Sequence, residues 1–198
     1  VMTNVGMVLP APGMLDAIRD LTRKTGTLLI WDETHTISSG HGGHSGTFGP
    51  AGDMFVIGKF IGGGVPCAAY GFSADVAARM IATRESLPSG HSGIGTTLSA
   101  NALSIAAMQA MLGEVMTPDA YDYMARHAEM LVAGLNRVIG KHRLPWHISN
   151  VGARVEFIVA PGPIRNGSEA RAAMDHDLVS RNHLMLVNRG SRHSRYHI

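Results

Sequence analysis

Two hydrophobic rhythms alternate along the chain. Leu15, Ile18 and Leu21 fall on one stripe, Arg23 and Lys24 close the stretch, and Gly26 follows. That spacing predicts a helix over 14–25, with cations at its negative end and glycine as its stop. Leu28-Leu29-Ile30-Trp31 and Met54-Phe55-Val56-Ile57 are instead short unbroken apolar runs, the pattern of strands buried on both faces. Val5-Gly6-Met7-Val8-Leu9, closed by Pro10 and Pro12, and the run 68–72 are read as strands too. Ser73 caps a helix to about Ile81. Residues 99–116 predict an Ala/Met-rich helix buried on much of its surface, and Thr117-Pro118-Asp119 starts another that runs to about Lys141. Between these elements, 38–52 and 85–96 are Gly/Ser-rich loops, and Gly62-Gly63-Gly64-Val65-Pro66 is a turn that cannot be helical.

Strands alternating with helices as far as Pro145 argue for an α/β fold with a mainly parallel sheet. Past Pro145 the expected order is a strand over 153–160, a helix over 168–183 and a short strand over 184–187. That is a small α+β unit. The expected organisation is therefore 1–144 as part of a large α/β domain and 145–198 as part of a smaller one. No internal repeat is visible.

Composition narrows the picture. At 198 residues, 45% hydrophobic and 16% charged, the chain can bury a core and is not of disordered type. Its net charge is +2, and no basic run stands out before the last few residues. Neither nucleic acid nor a membrane surface has an electrostatic case. The single cysteine, Cys67, allows no internal disulfide and fits a reducing, cytoplasmic setting. No apolar stretch approaches membrane-spanning length, and no signal-peptide pattern is present. Val1-Met2-Thr3-Asn4-Val5 reads like the middle of a strand, so the chain is expected to begin inside a larger domain.

The chemistry gathers where apolar runs stop. Asp32 ends one run and Lys59 ends another, and function collects at the carboxyl ends of parallel strands. Strand-end aspartates often do no more than cap, and strand-end lysines often snorkel to water. Yet Lys59 stands apart from the other two lysines, Lys24 and Lys141, which lie at helix ends. Its apolar, glycine-rich setting predicts poor solvation, which favours a neutral, nucleophilic amine. A carboxylate and an amine so placed suit pyridoxal phosphate. That cofactor needs a lysine to form an imine with its aldehyde and an aspartate to keep its ring nitrogen protonated.

Other motifs are weaker. Gly58-Lys59 is not a phosphate loop, because Phe60 follows the lysine and an apolar strand precedes it. His35, His41 and His44 lack a Cys or carboxylate cluster at ligand spacing, so a polar loop beside a site is favoured over a metal centre. Cys67 has no histidine placed to activate it. Thr96-Thr97-Leu98-Ser99-Ala100-Asn101 opens a helix, where amide and hydroxyl groups serve either as an ordinary cap or as a phosphate contact.

Taken together, three segments resemble the class III aminotransferases, fold type I pyridoxal phosphate enzymes that include the glutamate-1-semialdehyde aminomutases. They are Leu28-Leu29-Ile30-Trp31-Asp32-Glu33-Thr34, Gly58-Lys59-Phe60-Ile61-Gly62-Gly63-Gly64-Val65-Pro66, and Gly95-Thr96-Thr97-Leu98-Ser99-Ala100-Asn101. The resemblance runs from about Val1 to Gly190. It implies that Lys59 carries the cofactor as an imine and then shuttles protons, and that Asp32 pairs with the ring nitrogen. It further implies Thr34 under the ring face, where the family more often has valine, Asn4 near the ring oxygen, and Thr97 at the phosphate held by a neighbouring subunit. A homodimer with shared active sites follows from that last role. The substrates implied are a small amino donor and a keto acid acceptor. A 2,1-aminomutase of the glutamate-1-semialdehyde type stays open, as does a truncated relative without catalysis.

The chain also departs from that pattern. Family members are usually much longer, and their upstream phosphate-cradling loop and ring-stacking aromatic have no counterpart here. After Asn188-Arg189-Gly190 the family continues with an apolar strand, whereas this chain reads Ser191-Arg192-His193-Ser194-Arg195-Tyr196-His197-Ile198. A fragment or an altered end is expected, with an open sheet edge prone to aggregation.

Overall fold

A computed structural model describes residues 6–90 and 94–191. The chain forms two compact units. The first comprises Leu15–Ile37 and His41–Pro118. It opens with helix α1 (Met14–Thr25), whose acidic first turn and basic last turn suit the helix dipole, and Gly26 stops it at φ 66°. Strand β1 (Ile30–Asp32) follows, then a 3-10 turn (Thr36–Ser39) and the short helix α2 (Gly43–Phe48). Strand β2 (Met54–Gly58) leads into a second 3-10 turn (Lys59–Gly62), strand β3 (Ala68–Phe72) and helix α3 (Ala74–Glu85). Helix α4 (Ala102–Ala110) runs into a π-turn (Met111–Val115).

The sheet of this unit has the order β1-β2-β3. β1 and β2 are parallel, with Asp32 opposite Val56, and β2 and β3 are antiparallel, with Gly58 opposite Ala68. The expected mainly parallel sheet is therefore mixed. The reason is the short connection 59–67, which can reverse the chain but cannot carry the crossover a parallel neighbour needs. Two links fix the lower end of this sheet. Arg19 on α1 donates to both carboxylate oxygens of Asp53, at 2.6 and 2.9 Å, and the Leu29 backbone N–H donates to the same carboxylate at 2.7 Å. Charge and hydrogen bonds together hold Asp53 down to about 2.

The second unit takes in the described residues 6–14, Ser38–Gly40 and everything from Asp119 onward. It holds the long helix α5 (Pro118–His142), the hairpin β4 (His147–Val151) and β5 (Arg154–Ile158), and helices α6 (Gly167–Ala172) and α7 (His176–Val187). The hairpin pairs Val151 with Arg154 around Gly152 at φ 55°. Met7, Tyr121, Ala128, Val155, Ile158 and Ala170 are buried in this unit.

The structure departs from several of these expectations. Residues 6–9 make isolated bridges rather than a strand. The loop 38–52 contains α2. The run 184–187, expected to be a strand, is the last turn of α7. Four apolar residues do not distinguish strand from helix, and here the Asp175 cap, which accepts the Leu178 N–H at 2.9 Å, starts a helix that simply continues. α4 begins at Ala102 rather than 99, because Asn101 is the cap and accepts the Ser104 N–H at 3.0 Å. No residue of α4 is buried, so the expected burial of that helix is not observed. Among the described residues no helix is long and apolar enough to cross a membrane.

Candidate active site

Parallel pairing of β1 and β2 brings Asp32 and Lys59 to the same end of the sheet. Asp32 is the last residue of β1, and Lys59 follows Gly58, the last residue of β2. Lys59 takes a left-handed backbone conformation, φ 56°, that costs an ordinary side chain about 1 kcal/mol or more. The chain accepts it in entering the tight turn 59–62, which closes with the Gly63 N–H on the Phe60 carbonyl at 3.0 Å. Gly62 packs so closely on the residue before β3 that a Cβ there would stand 2.7 Å from Cys67 Sγ. That contact gives Cys67 a packing role.

Asp32 is held by its own turn. Its Oδ1 accepts the Thr34 backbone N–H at 2.9 Å. Hydrogen bonds from Thr34 lower its pKa, burial opposes them, and the charges of His35 and Lys59 add to the lowering. Asp32 is thus an anion with Lys59 and His35 beside it. Both Asp32 and Lys59 are exposed, so the poor solvation expected for the lysine does not hold. Phe60 beside it is exposed as well, Ile61 and Gly62 turn inward, and the exposed Gly63 and Gly64 supply no side chain to cover the amine.

His35 completes the cluster, with its Nε2 2.5 Å from Lys59 Nζ. The pattern that singled out Lys59 and Asp32 did not reveal this pairing. The sequence signal was a histidine three residues beyond the strand-end aspartate.

Glu33 was missed altogether. Next to Asp32 on an extended backbone it faces the other way, and it is 2% exposed. Its carboxylate accepts the Thr36 hydroxyl and the backbone N–H groups of His44 at 3.0 Å and Ser45 at 2.6 Å. An anion bound to the first turn of α2 explains why a Gly/Ser/His segment becomes helical there. Gly43 is required, because a Cβ would lie 3.0 Å from that carboxylate.

The remaining expected residues are placed as follows. Thr34 is half-buried, with its Cγ2 3.7 Å from where a Cβ on Gly58 would sit. Thr97 is exposed in the turn before α4. α4 packs on the turn 59–62, and Ser104 Oγ donates to the Pro66 carbonyl at 3.2 Å. Asn4 lies outside the described residues. Among the described residues no group of three His, Cys, Asp or Glu side chains is placed to hold a metal ion.

An exposed primary amine can add to a carbonyl, and an anchored anionic carboxylate beside it can hold a protonated ring nitrogen. The α/β framework that carries them is the fold type I framework of aminotransferases. The family model described as Aminotransferase class-III matches residues 1–166, and the chain belongs to that family. Glutamate-1-semialdehyde 2,1-aminomutase 1 of Bacillus cereus (strain G9842) is 36% identical over 171 residues, covering 86% of this chain and 38% of that protein. The crystal structure of a glutamate-1-semialdehyde-aminomutase from Pseudomonas aeruginosa PAO1 aligns with a TM-score of 0.93 at 45% identity, over 99% of this chain and 44% of that one. The β-phenylalanine aminotransferase of Variovorax paradoxus aligns with a TM-score of 0.84 at 29% identity, over 98% of this chain and 44% of that one. The chain spans less than half the length of these relatives.

Proposed function

We propose that this chain carries the cofactor attachment site of a pyridoxal phosphate-dependent aminotransferase. The carrying observation is the amine of Lys59 and the ionised carboxylate of Asp32 at the ends of adjacent parallel strands. This donor set fits the cofactor, and a variant of the Pseudomonas aeruginosa relative was solved in complex with PMP. When bound, pyridoxal phosphate supplies an aldehyde and an electron-withdrawing ring. Lys59 would hold it through Nζ and, once released, move a proton at the substrate carbon. Asp32 would keep the ring nitrogen protonated, a task its lowered pKa suits.

Thr34 would lie against the ring, Asn4 beside its oxygen, and Thr97 at the phosphate bound by a second copy. The active form would then be a homodimer in the cytoplasm, acting on an amino donor and a keto acid. Residues 1–144 would belong to the large domain and 145–198 to the small one. The similarity to aminomutases favours one second reading, a 2,1-aminomutase that shifts the amine within a single molecule.

The test is to add pyridoxal phosphate to the purified protein, reduce with borohydride and map the label. Stoichiometric labelling of Lys59, lost in Lys59→Ala, is expected. Labelling that is absent, or scattered over Lys24, Lys59 and Lys141, would overturn the proposal and favour a relative without catalysis. Transfer of the amine to an external keto acid separates the transaminase from the aminomutase.

A further inference from the structure

Lys59 is a long flexible side chain, exposed at the end of a strand, and nothing in its own turn fixes its amine. His35 is the opposite case. Its backbone belongs to the turn after β1, and that turn is pinned from several sides. The Glu33 N–H donates to the Val56 carbonyl at 2.8 Å, and the Ile37 N–H donates to the Glu33 carbonyl at 2.8 Å. The Glu33 carboxylate is bound by Thr36, His44 and Ser45. An imidazole on so fixed a base is a hydrogen-bonding post, and its Nε2 lies 2.5 Å from Nζ. Asp32 already spends Oδ1 on Thr34.

We propose that His35 is the positioning residue of Lys59, holding the amine by a direct Nζ–Nε2 hydrogen bond at the candidate site. The consequence for cofactor attachment rests on the aminotransferase proposal above. The hydrogen bond itself does not.

The contact has a built-in dependence on charge. A neutral imidazole accepts a hydrogen bond from the lysine ammonium through its Nε2 lone pair. A protonated imidazole has no lone pair and sets a second cation against the first. Asp32 on β1 faces the pair and feels both charges. The contact therefore holds while the imidazole is neutral and opens when it is protonated.

The experiment needs no cofactor. The protein is trace-labelled with acetic anhydride from pH 5 to 9, and modification is read by mass spectrometry at Lys24, Lys59 and Lys141. The two helix-end lysines are internal references for folding and for the reagent. In the wild type, Lys59 reactivity relative to the references should step about five-fold across the imidazole range, the size of one ordinary hydrogen bond. His35→Ala should remove the step. His35→Gln should remove it too, yet keep the neutral-pH reactivity of Lys59, because the amide oxygen still accepts. A Lys59 profile in both variants that overlays the wild type overturns the proposal.

A second arm repeats borohydride trapping with pyridoxal phosphate. The trapping rate at Lys59 should fall about five-fold in His35→Ala and recover in His35→Gln. A His35-dependent acetylation profile without cofactor trapping would reject the aminotransferase and keep the contact. Trapping at Lys59 with a profile indifferent to His35 would do the reverse.

Discussion

Glu33 accepts the backbone N–H of Ser45 at 2.6 Å, tying the end of β1 to the first turn of α2. The neighbouring carboxylate, Asp32, is exposed at the same strand end. Two adjacent acids thus divide two tasks by strand alternation alone. One faces the candidate site, and the other builds the loop that delivers His35 to it.

Removing Glu33 should therefore cost stability. Burial opposes its ionisation, but hydrogen bonds from Thr36, Ser45 and His44 prevail and leave its pKa below the ordinary 4.5. A lowered folded value means that the contribution is complete above about pH 4.5 and fades as pH falls below it. Glu33→Ala leaves two backbone donors and a hydroxyl unpaired. We expect a loss of about 3 kcal/mol in urea unfolding at pH 7, with faster amide exchange over 43–48. A loss under about 1 kcal/mol would mean that the loop is held by other contacts.

The Arg19–Asp53 pair predicts behaviour in acid. Asp53 is lowered from 3.8 to about 2, first by the Arg19 hydrogen bonds and then by the Leu29 N–H. Its contribution is present above about pH 3.8 and is lost as pH falls through 2. In Arg19→Met the carboxylate moves back toward its ordinary value. The acid-unfolding midpoint, followed by circular dichroism, should shift to higher pH in the variant. An acid midpoint identical to the wild type would remove the pair from the account.

How much of this was legible in the sequence depends on the kind of signal. α1 was readable because its stripe, its cationic end and its glycine stop agree with one another. Lys59 and Asp32 were readable because each ends an apolar run, and runs set strand ends. The antiparallel pairing of β3 was not read, although the short connection 59–67 required it. α2 could not be read from its own residues, which are poor helix formers, because its cause lies at Glu33, outside the segment. The last turn of α7 was misread because four apolar residues fit either period. Exposure of Lys59 was hidden too, since solvation depends on what stands across the turn and not on the neighbours in sequence.

Glu156 on β5 predicts the opposite pH dependence. Burial pushes its carboxyl up from 4.5 to about 7, against the attraction of Arg154 and a hydrogen bond from the Met7 backbone. A raised folded value means that the native state holds the proton longer than the unfolded chain. Stability is then full below pH 4.5 and declines as pH rises to about 7. The decline should be on the order of 3 kcal/mol. Glu156→Gln, neutral and of the same shape, should flatten it. Urea midpoints measured between pH 4.5 and 8 decide the matter, and an equal slope in wild type and variant would count against a buried protonated Glu156.

Asp32→Asn separates the chemistry from the scaffold. The amide oxygen can still accept the Thr34 N–H, so folding stability should change by no more than about 0.5 kcal/mol. Lys59 and His35 are untouched, so borohydride should still trap pyridoxal phosphate on Lys59. What the amide cannot do is hold a proton on a ring nitrogen, because it carries no negative charge. On the aminotransferase proposal, proton abstraction at the substrate carbon would then lose its electron sink, and amino transfer should fall by at least about 100-fold while trapping persists. The measurement pairs a keto-acid transfer assay with mass-mapped trapping on the same samples. Transfer within a few-fold of wild type would show that Asp32 does not face the ring nitrogen, and its low pKa would then serve only the turn it closes with Thr34.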